Sequence, residues 1–329
     1  MSVRLHPDGS VRLHDEPAPA AGDGEVLLRV AAVGLCGSDR HWLVEGGIGE
    51  ARVDSPLVLG HEFCGVVQEG PHRGRLVAAD PTISCGHCGL CRSGRENLCQ
   101  EQRFAGYSGT DGALRELVAW PERLLYPLAD SVGPLEGVLV EPLAIALHAH
   151  ELAGEIRDRR VGVVGCGPIG LLIVSLAKAA GAARVVVADP LQHRVAAAVE
   201  RGGEALAHEA RMSDELEVVF EVAGEDEAVD VALRLAAPGG EVLLVGIPAQ
   251  DRISFTASVA RRKGLTLRNV RRSTPSSFER ASRLVAESWL ELQSLVTHRL
   301  PLDQTPRAFE ALAGREGIKV IVEPGTQAA

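Results

Sequence analysis

Aromatic side chains are scarce in this chain: six Phe, two Tyr and three Trp among 329 residues, beside only two Met. Set against its liberal use of Ala, Gly and Arg, the scarcity reads as compositional bias, not as a functional signal. Basic charge is also in deficit, with 34 Lys and Arg against 44 Asp and Glu and a net charge of −10. That balance argues against sequence-independent binding to nucleic acid or to an anionic membrane, both of which rely on clustered cations. Long apolar runs are missing too. The most apolar stretch, residues 169–177, is ended by Lys178 and is too short to span a bilayer. Residues 1–20 hold no apolar core of a secretory signal. No internal repeat or low-complexity tract stands out. With 46% hydrophobic residues the chain can bury a real core, and its length suits about two domains. Its seven cysteines, four of them clustered, fit a reducing compartment where thiolates serve metals, so a cytoplasmic protein is expected.

What is present is more informative. Cys85, Cys88, Cys91 and Cys99 form a C-x2-C-x2-C-x7-C run. Four thiolates converging from one short segment make a closed tetrahedral site, and zinc suits such a site best. Gly86, Gly89 and Gly94 let the backbone turn between the ligands. An iron–sulfur reading fits poorly: the last gap is too long, no Pro follows Cys99, and a second cysteine set is missing. A nucleic-acid-binding zinc ribbon would need a basic surface. The spacing therefore predicts a structural zinc lobe, with His87 inside it but surplus to a site already filled by four thiolates.

Along the chain, strand candidates at residues 25–33 and 63–68 and frequent Gly and Pro up to about Pro142 suggest an irregular all-β barrel, followed by a helix at 143–152. From Val161 strands and helices alternate: strands at 161–164, 184–188, near Leu206, and at 217–222, 241–245 and 265–269, with helices at 169–179, 191–200 and 228–236. Such alternation predicts a parallel, doubly wound sheet. Past Ser273 to Ser277, an amphipathic helix from Phe278 and a strand at 319–322 close the pattern.

Gly165-Cys166-Gly167-Pro168-Ile169-Gly170 is G-x-G-x-x-G, placed after a strand and opening a helix. Its glycines allow a tight turn, close approach of a pyrophosphate and close helix–strand packing, and the helix N-terminus favours phosphate. Asp189 ends the next strand, nineteen positions past Gly170, where an acid can bond both ribose hydroxyls and repel a 2′-phosphate. NAD is therefore expected over NADP, with His193 and Arg194 near enough to soften the preference. Cys64 and Cys166 read as packing residues.

Three further segments carry a resemblance. The stretch from Val33 through Cys36, Gly37, Ser38, Asp39 and Arg40 to His41, then Gly60-His61-Glu62, then Glu141-Pro142-Leu143-Ala144 resemble successive signatures of the zinc-dependent medium-chain dehydrogenase/reductase family. The cysteine lobe lies between the second and third, and the Gly165 motif follows, so five motifs in order cover nearly the whole chain. The resemblance implies a GroES-like β-barrel catalytic domain, residues 1–146 and 273–329, and a Rossmann NAD-binding domain, residues 147–272. It implies two zinc ions per chain. Cys36, His61 and Glu62 match catalytic zinc ligands, and Glu141 an acid that reaches the metal directly or through water. Asp39 resembles the acid that orients His61, and Ser38 and His41 a proton relay from the substrate hydroxyl to solvent.

Within the family, the motifs are most similar to the sorbitol/iditol (polyol) and threonine dehydrogenase branches. Residues 264–272 resemble a polyol-dehydrogenase segment in which an Arg, best matched by Arg272, reaches the substrate. Phe104 fits a substrate-pocket position, and Trp42 is expected as the opposite wall. The implied activity is oxidation of a secondary alcohol, a polyol or cyclitol, by hydride transfer to NAD in a homo-oligomer, dimer or tetramer. A threonine-type or aminocyclitol dehydrogenase is the nearest alternative. A zinc-independent, quinone-reductase-like or non-enzymatic relative is the alternative of another class, and it would lack Cys36, His61 and the four-cysteine lobe.

Overall fold

The computed structural model describes residues 1–206, 215–250, 252–288 and 291–325. It divides into two compact units: Met1–Ala144 with Ser273–Ala329, and Ile145–Arg272 between them in sequence.

The first unit is built on a seven-stranded sheet. Its order is Leu125–Pro127, Leu76–Ala79, Glu62–Val67, Glu25–Leu35, Lys319–Glu323 and Val296–Pro301, with Leu117–Pro121 pairing the first half of the long Glu25–Leu35 strand. That long strand is the axis of the unit. Its second half lies between two antiparallel neighbours: Gly34 is opposite Glu62 on one side and Ile321 on the other. Alternation along it turns Val26, Leu28 and Val30 into the core, where Phe63 and Trp120 meet edge to face, their ring centroids 5.4 Å apart. The strand runs two residues further than the expected 25–33, because pairing on both sides carries it up to Cys36.

Three helices depart from expectation, each for a local reason. Gly37–Val44, within the stretch expected as an irregular all-β barrel, is helical because Cys36 and Asp39 cap one another: the Cys36 N–H donates to Asp39 Oδ2 at 2.9 Å. The helix expected at 143–152 spans Val140–Ala153, since Pro142 falls in its first turn, where no N–H is needed. The helix expected from Phe278 begins at Pro275, capped by Thr274, whose Oγ1 accepts from the Ser277 N–H.

The second unit is a six-stranded parallel sheet in the order Glu204–Ala205, Arg184–Ala188, Arg160–Val164, Leu216–Glu221, Ala236–Leu244, Thr266–Asn269. Counted along the chain this is 3-2-1-4-5-6, the doubly wound order of dinucleotide-binding sheets. The expected strand near Leu206 is the short Glu204–Ala205, and the one expected at 241–245 begins five residues earlier, at Ala236. The order reverses between Arg160–Val164 and Leu216–Glu221, so the crevice for a ligand opens at the end of Val164, where Gly165 begins. On one face Val164, Val186 and Val219 pack with Val229, Leu233 and Leu235 of the Asp226–Leu235 helix. Among the described residues, no helix is long and apolar enough to cross a membrane.

Candidate active site and metal centres

The first unit brings two groups of metal-ligating side chains together. In the lobe, Cys88 Sγ lies 3.5 Å from Cys91 Sγ and 4.0 Å from Cys99 Sγ, and Cys85 Sγ is 3.8 Å from Cys91 Sγ. A zinc tetrahedron with Zn–S bonds of about 2.3 Å has edges of about 3.8 Å, so four sulfurs at this spacing fit the ion. Backbone N–H groups of His87 and Cys88 lower the pKa of the Cys85 thiol, favouring the thiolate a metal needs. His87 itself is exposed, with Nδ1 2.9 Å from the Cys85 carbonyl oxygen.

The second group joins Cys36, His61 and Glu62, whose candidate ligand atoms lie within 4.8 Å of one another. Cys36 follows the long strand and caps the helix after it, while His61 and Glu62 sit where the neighbouring strand begins. Asp39 is completely buried and serves both: one oxygen holds the Cys36 N–H, and the other is 3.6 Å from His61 Nδ1. That contact is longer than a hydrogen bond but within ion-pair reach, and it leaves Nε2 for the metal side. Burial opposes a charge on His61, but Asp39 and Cys36 outweigh it and hold the imidazole pKa well above its ordinary value. The negative Asp39 beside the imidazole favours positive charge there, whether a proton or a metal cation. Phe104 stands beside the imidazole, ring centroids 5.2 Å apart.

Glu141, in the first turn of the Val140–Ala153 helix, is 5% exposed and lies outside the three-residue group. Burial pushes its carboxyl up to about 8; His61 opposes the shift, Glu62 adds to it and Lys319 opposes it. Such a carboxyl ionises readily only beside additional positive charge, which is what a metal would bring.

Sequence reasoning missed one member of this centre. Lys319 is 2% exposed, and its Nζ donates to Glu62 Oε1 at 2.8 Å, to Glu62 Oε2 at 2.6 Å and to the Leu35 carbonyl at 3.1 Å. Burial opposes its charge, but Glu62 and Cys36 hold its pKa above that of an ordinary lysine. Gly34 makes room for the pair, because a Cβ there would land on Glu62 Oε2. No sequence signal marks Lys319; only its place one residue before Val320, which pairs with Leu35 on the central strand, does.

Ser38 and His41 are half-buried on the Gly37–Val44 helix, with His41 Nδ1 3.2 Å from Glu45 Oε2. Trp42, expected as a pocket wall, is 2% exposed and packs edge-on to Tyr107 at 5.2 Å. A short helix that caps on Cys36 must turn one face inward, and Trp42 supplies it.

In the second unit Gly165 has φ +98, and any Cβ there would strike Ala223 and Val222. Gly167 caps the Pro168–Ala179 helix, in which Ile169 follows and Gly170 is buried. Asp189 braces this loop, accepting from the Cys166 N–H and the Leu191 N–H at 2.8 Å each. Arg194 approaches the open side of Gly167. Arg272 ends the unit in a left-handed conformation, φ 53. Cys64 and Cys166 are buried, and burial pushes both thiols up to about 12, as packing residues require.

Residues 22–130 match the alcohol dehydrogenase GroES-like domain, and residues 168–287 match the zinc-binding dehydrogenase domain. The sorbitol dehydrogenase of Gallus gallus is 33% identical over 342 residues, covering 98% of this chain and 96% of its own. The chain belongs to the zinc-binding medium-chain dehydrogenase family. Two solved structures of this family sharpen the likeness. L-idonate 5-dehydrogenase from Escherichia coli str. K-12 superposes with a TM-score of 0.91 at 28% identity, covering 98% of this chain and 97% of its own. A candidate zinc-binding dehydrogenase from Sinorhizobium meliloti 1021, bound to NADP, gives 0.88 at 31% identity, with 98% of each chain covered. The GroES-like domain followed by a Rossmann sheet is thus the family fold, and zinc with a nicotinamide cofactor is the family's chemical equipment. This medium-chain dehydrogenase is an enzyme of the alcohol or polyol dehydrogenase type.

Proposed function

We propose that this protein is a zinc-dependent dehydrogenase that oxidises a polyhydroxylated secondary alcohol, a polyol or cyclitol, to the ketone with NAD. The observation that carries the reading is the convergence of Cys36, His61 and Glu62, with the buried Asp39 against the first two, apart from a second, closed site of four cysteines. Three protein donors suit a catalytic zinc, which needs an open position, and four thiolates suit a structural one. The sorbitol and L-idonate dehydrogenases among its relatives support a substrate with several hydroxyls.

When bound, zinc would supply Lewis acidity toward a substrate hydroxyl and the nicotinamide would supply the hydride acceptor. The chain's own residues do the rest. Cys36, His61 and Glu62 hold the metal, Asp39 fixes His61 in its tautomer, and Glu141 supplies a further acid. Ser38 receives the hydroxyl proton and passes it toward His41 and solvent. Asp189 selects NAD by accepting from the ribose hydroxyls and repelling a 2′-phosphate; Arg194, beside Gly167, moderates that preference. Arg272 and Phe104 contact the substrate, and unpaired buried polar groups disfavour a simple alcohol by roughly 1–3 kcal/mol each. In this reading residues 1–146 and 273–329 form the catalytic domain and residues 147–272 the NAD domain, in a cytoplasmic dimer or tetramer.

A panel of sugar alcohols, cyclitols, threonine and simple alcohols, followed by NADH absorbance, tests this together with zinc content. Two zinc ions per chain and a polyol or cyclitol preferred about ten-fold or more over ethanol are expected. Preference for ethanol or benzyl alcohol over every polyol would refute the substrate class. Equal or better kcat/KM with NADP would refute the cofactor choice, and absence of zinc the dehydrogenase chemistry.

A further inference from the structure

Every hydrogen of the Lys319 ammonium has an acceptor inside the protein. Two go to the carboxylate of Glu62 and the third to the carbonyl of Leu35, one residue before Cys36. An ammonium has three donors, so nothing is left over for water, and at 2% exposure none reaches it. A buried ion pair is a poor way to gain stability, because apolar residues of the same volume usually do as well or better. Its position suggests a different use. Lys319 and Glu62 lie on strands either side of Glu25–Leu35, and their side chains meet across Gly34, the residue whose missing Cβ admits them. Asp39 stands behind His61 in the same way. Each of these two metal-site side chains is therefore backed by a buried charge of the opposite sign.

We propose that Lys319 is a positioning residue that tunes the catalytic metal through Glu62, holding both carboxylate oxygens so that the cation meets Glu62 only as a shared and weakened donor. This rests on the reading of Cys36, His61 and Glu62 as the catalytic metal site. A thiolate and a fully available carboxylate would together offset the two charges of a zinc ion and blunt its pull on a substrate oxygen. With Lys319 drawing on Glu62, that pull is kept. The ammonium also fixes the carboxylate plane, since its two contacts at 2.6 and 2.8 Å permit little rotation.

The test uses the zinc-loaded wild type with Lys319→Met, which keeps length and removes charge, and Lys319→Arg, which keeps charge. Zinc loss to a chelator is followed, and the visible absorption of the enzyme with cobalt in its catalytic site is recorded. Lys319→Met should release the catalytic zinc about ten-fold more slowly or slower still, shift the cobalt bands, and lower kcat at least ten-fold. The four-cysteine zinc should be unaffected, and Lys319→Arg should stay within about three-fold of wild type in zinc release. Should Lys319→Met fail to fold, the double variant Lys319→Met/Glu62→Gln removes both charges. Compared with Glu62→Gln alone, it should then show the same zinc release and cobalt spectrum. Lys319→Met with wild-type zinc release and cobalt bands, or with faster zinc loss, would overturn the proposal. So would a Lys319 effect that persists in full on the Glu62→Gln background. A wild type with one zinc per chain would instead refute the metal-site reading, and this inference with it.

Discussion

The two metal constellations of the first unit differ in how the chain assembles them. The four cysteines of the lobe come from fifteen consecutive residues, and their sulfurs already stand at the edge lengths of a zinc tetrahedron. The Cys36 group draws on residues 36, 39, 61, 62 and 319, whose separate segments are brought together by sheet pairing, and is backed by buried Asp39 and Lys319. A closed site can be made locally from ligands alone. An open one needs charged residues behind its ligands, because no fourth protein donor holds the geometry.

That contrast can be broken most sharply at Cys36. Cys36→Ser should lower kcat roughly 10³-fold or more, the several kcal/mol that a correctly held metal supplies. The melting temperature should change little and one zinc per chain should remain, as read by turnover, metal analysis and calorimetry. Near-normal turnover would make the two sites equivalent in kind. Asp39→Asn comes next: the loss of charge behind His61 should weaken the catalytic zinc about 10–100-fold in chelator competition, with the lobe zinc unmoved. Gly34→Ala should act on the same site from the other side, its Cβ displacing Glu62, so that catalytic zinc and kcat fall together about ten-fold or more. If zinc content and kcat are unchanged, Glu62 has no part in the site. Cys91→Ser should give the smallest effect on turnover and the largest on stability. Removing a closed zinc site should cost about 2–4 kcal/mol and lower the melting temperature by roughly 5–15 °C, measured by thermal unfolding. A variant that loses activity while keeping its melting temperature would reverse the roles of the two sites.

Legibility in the sequence follows the same divide. The cysteine lobe and the Gly165 loop with Asp189 are local, and spacing with flanking elements was enough to place them. Alternating strands and helices after Val161 likewise gave the doubly wound sheet, though not the early start of the Ala236–Leu244 strand. Cys36, His61 and Glu62 carry no spacing rule of their own, and only the resemblance to a family joined them. Lys319 carries no such signal, because its meaning lies in the contact of its ammonium with Glu62 and the Leu35 carbonyl, on strands far away in sequence. The Gly37–Val44 helix was missed since eight residues give weak periodicity and Cys is an unusual cap. Pro142 and Pro275 hid two helix starts by standing in the first turn, where proline is tolerated.

The contact between Lys319 and Glu62 joins residues 257 positions apart, with the whole second unit lying between them in sequence. Order of assembly follows from that distance. During synthesis the four-cysteine lobe can close as soon as Cys99 is available, a short loop with little entropy to lose. Glu62 must wait until the chain has passed Ile145–Arg272 and returned as the Lys319–Glu323 strand. Until then, seating Glu62 against Gly34 would bury a carboxylate with no counter-charge. The buried pair, and with it the Glu62 side of the Cys36 group, is completed only after the whole second unit has been made.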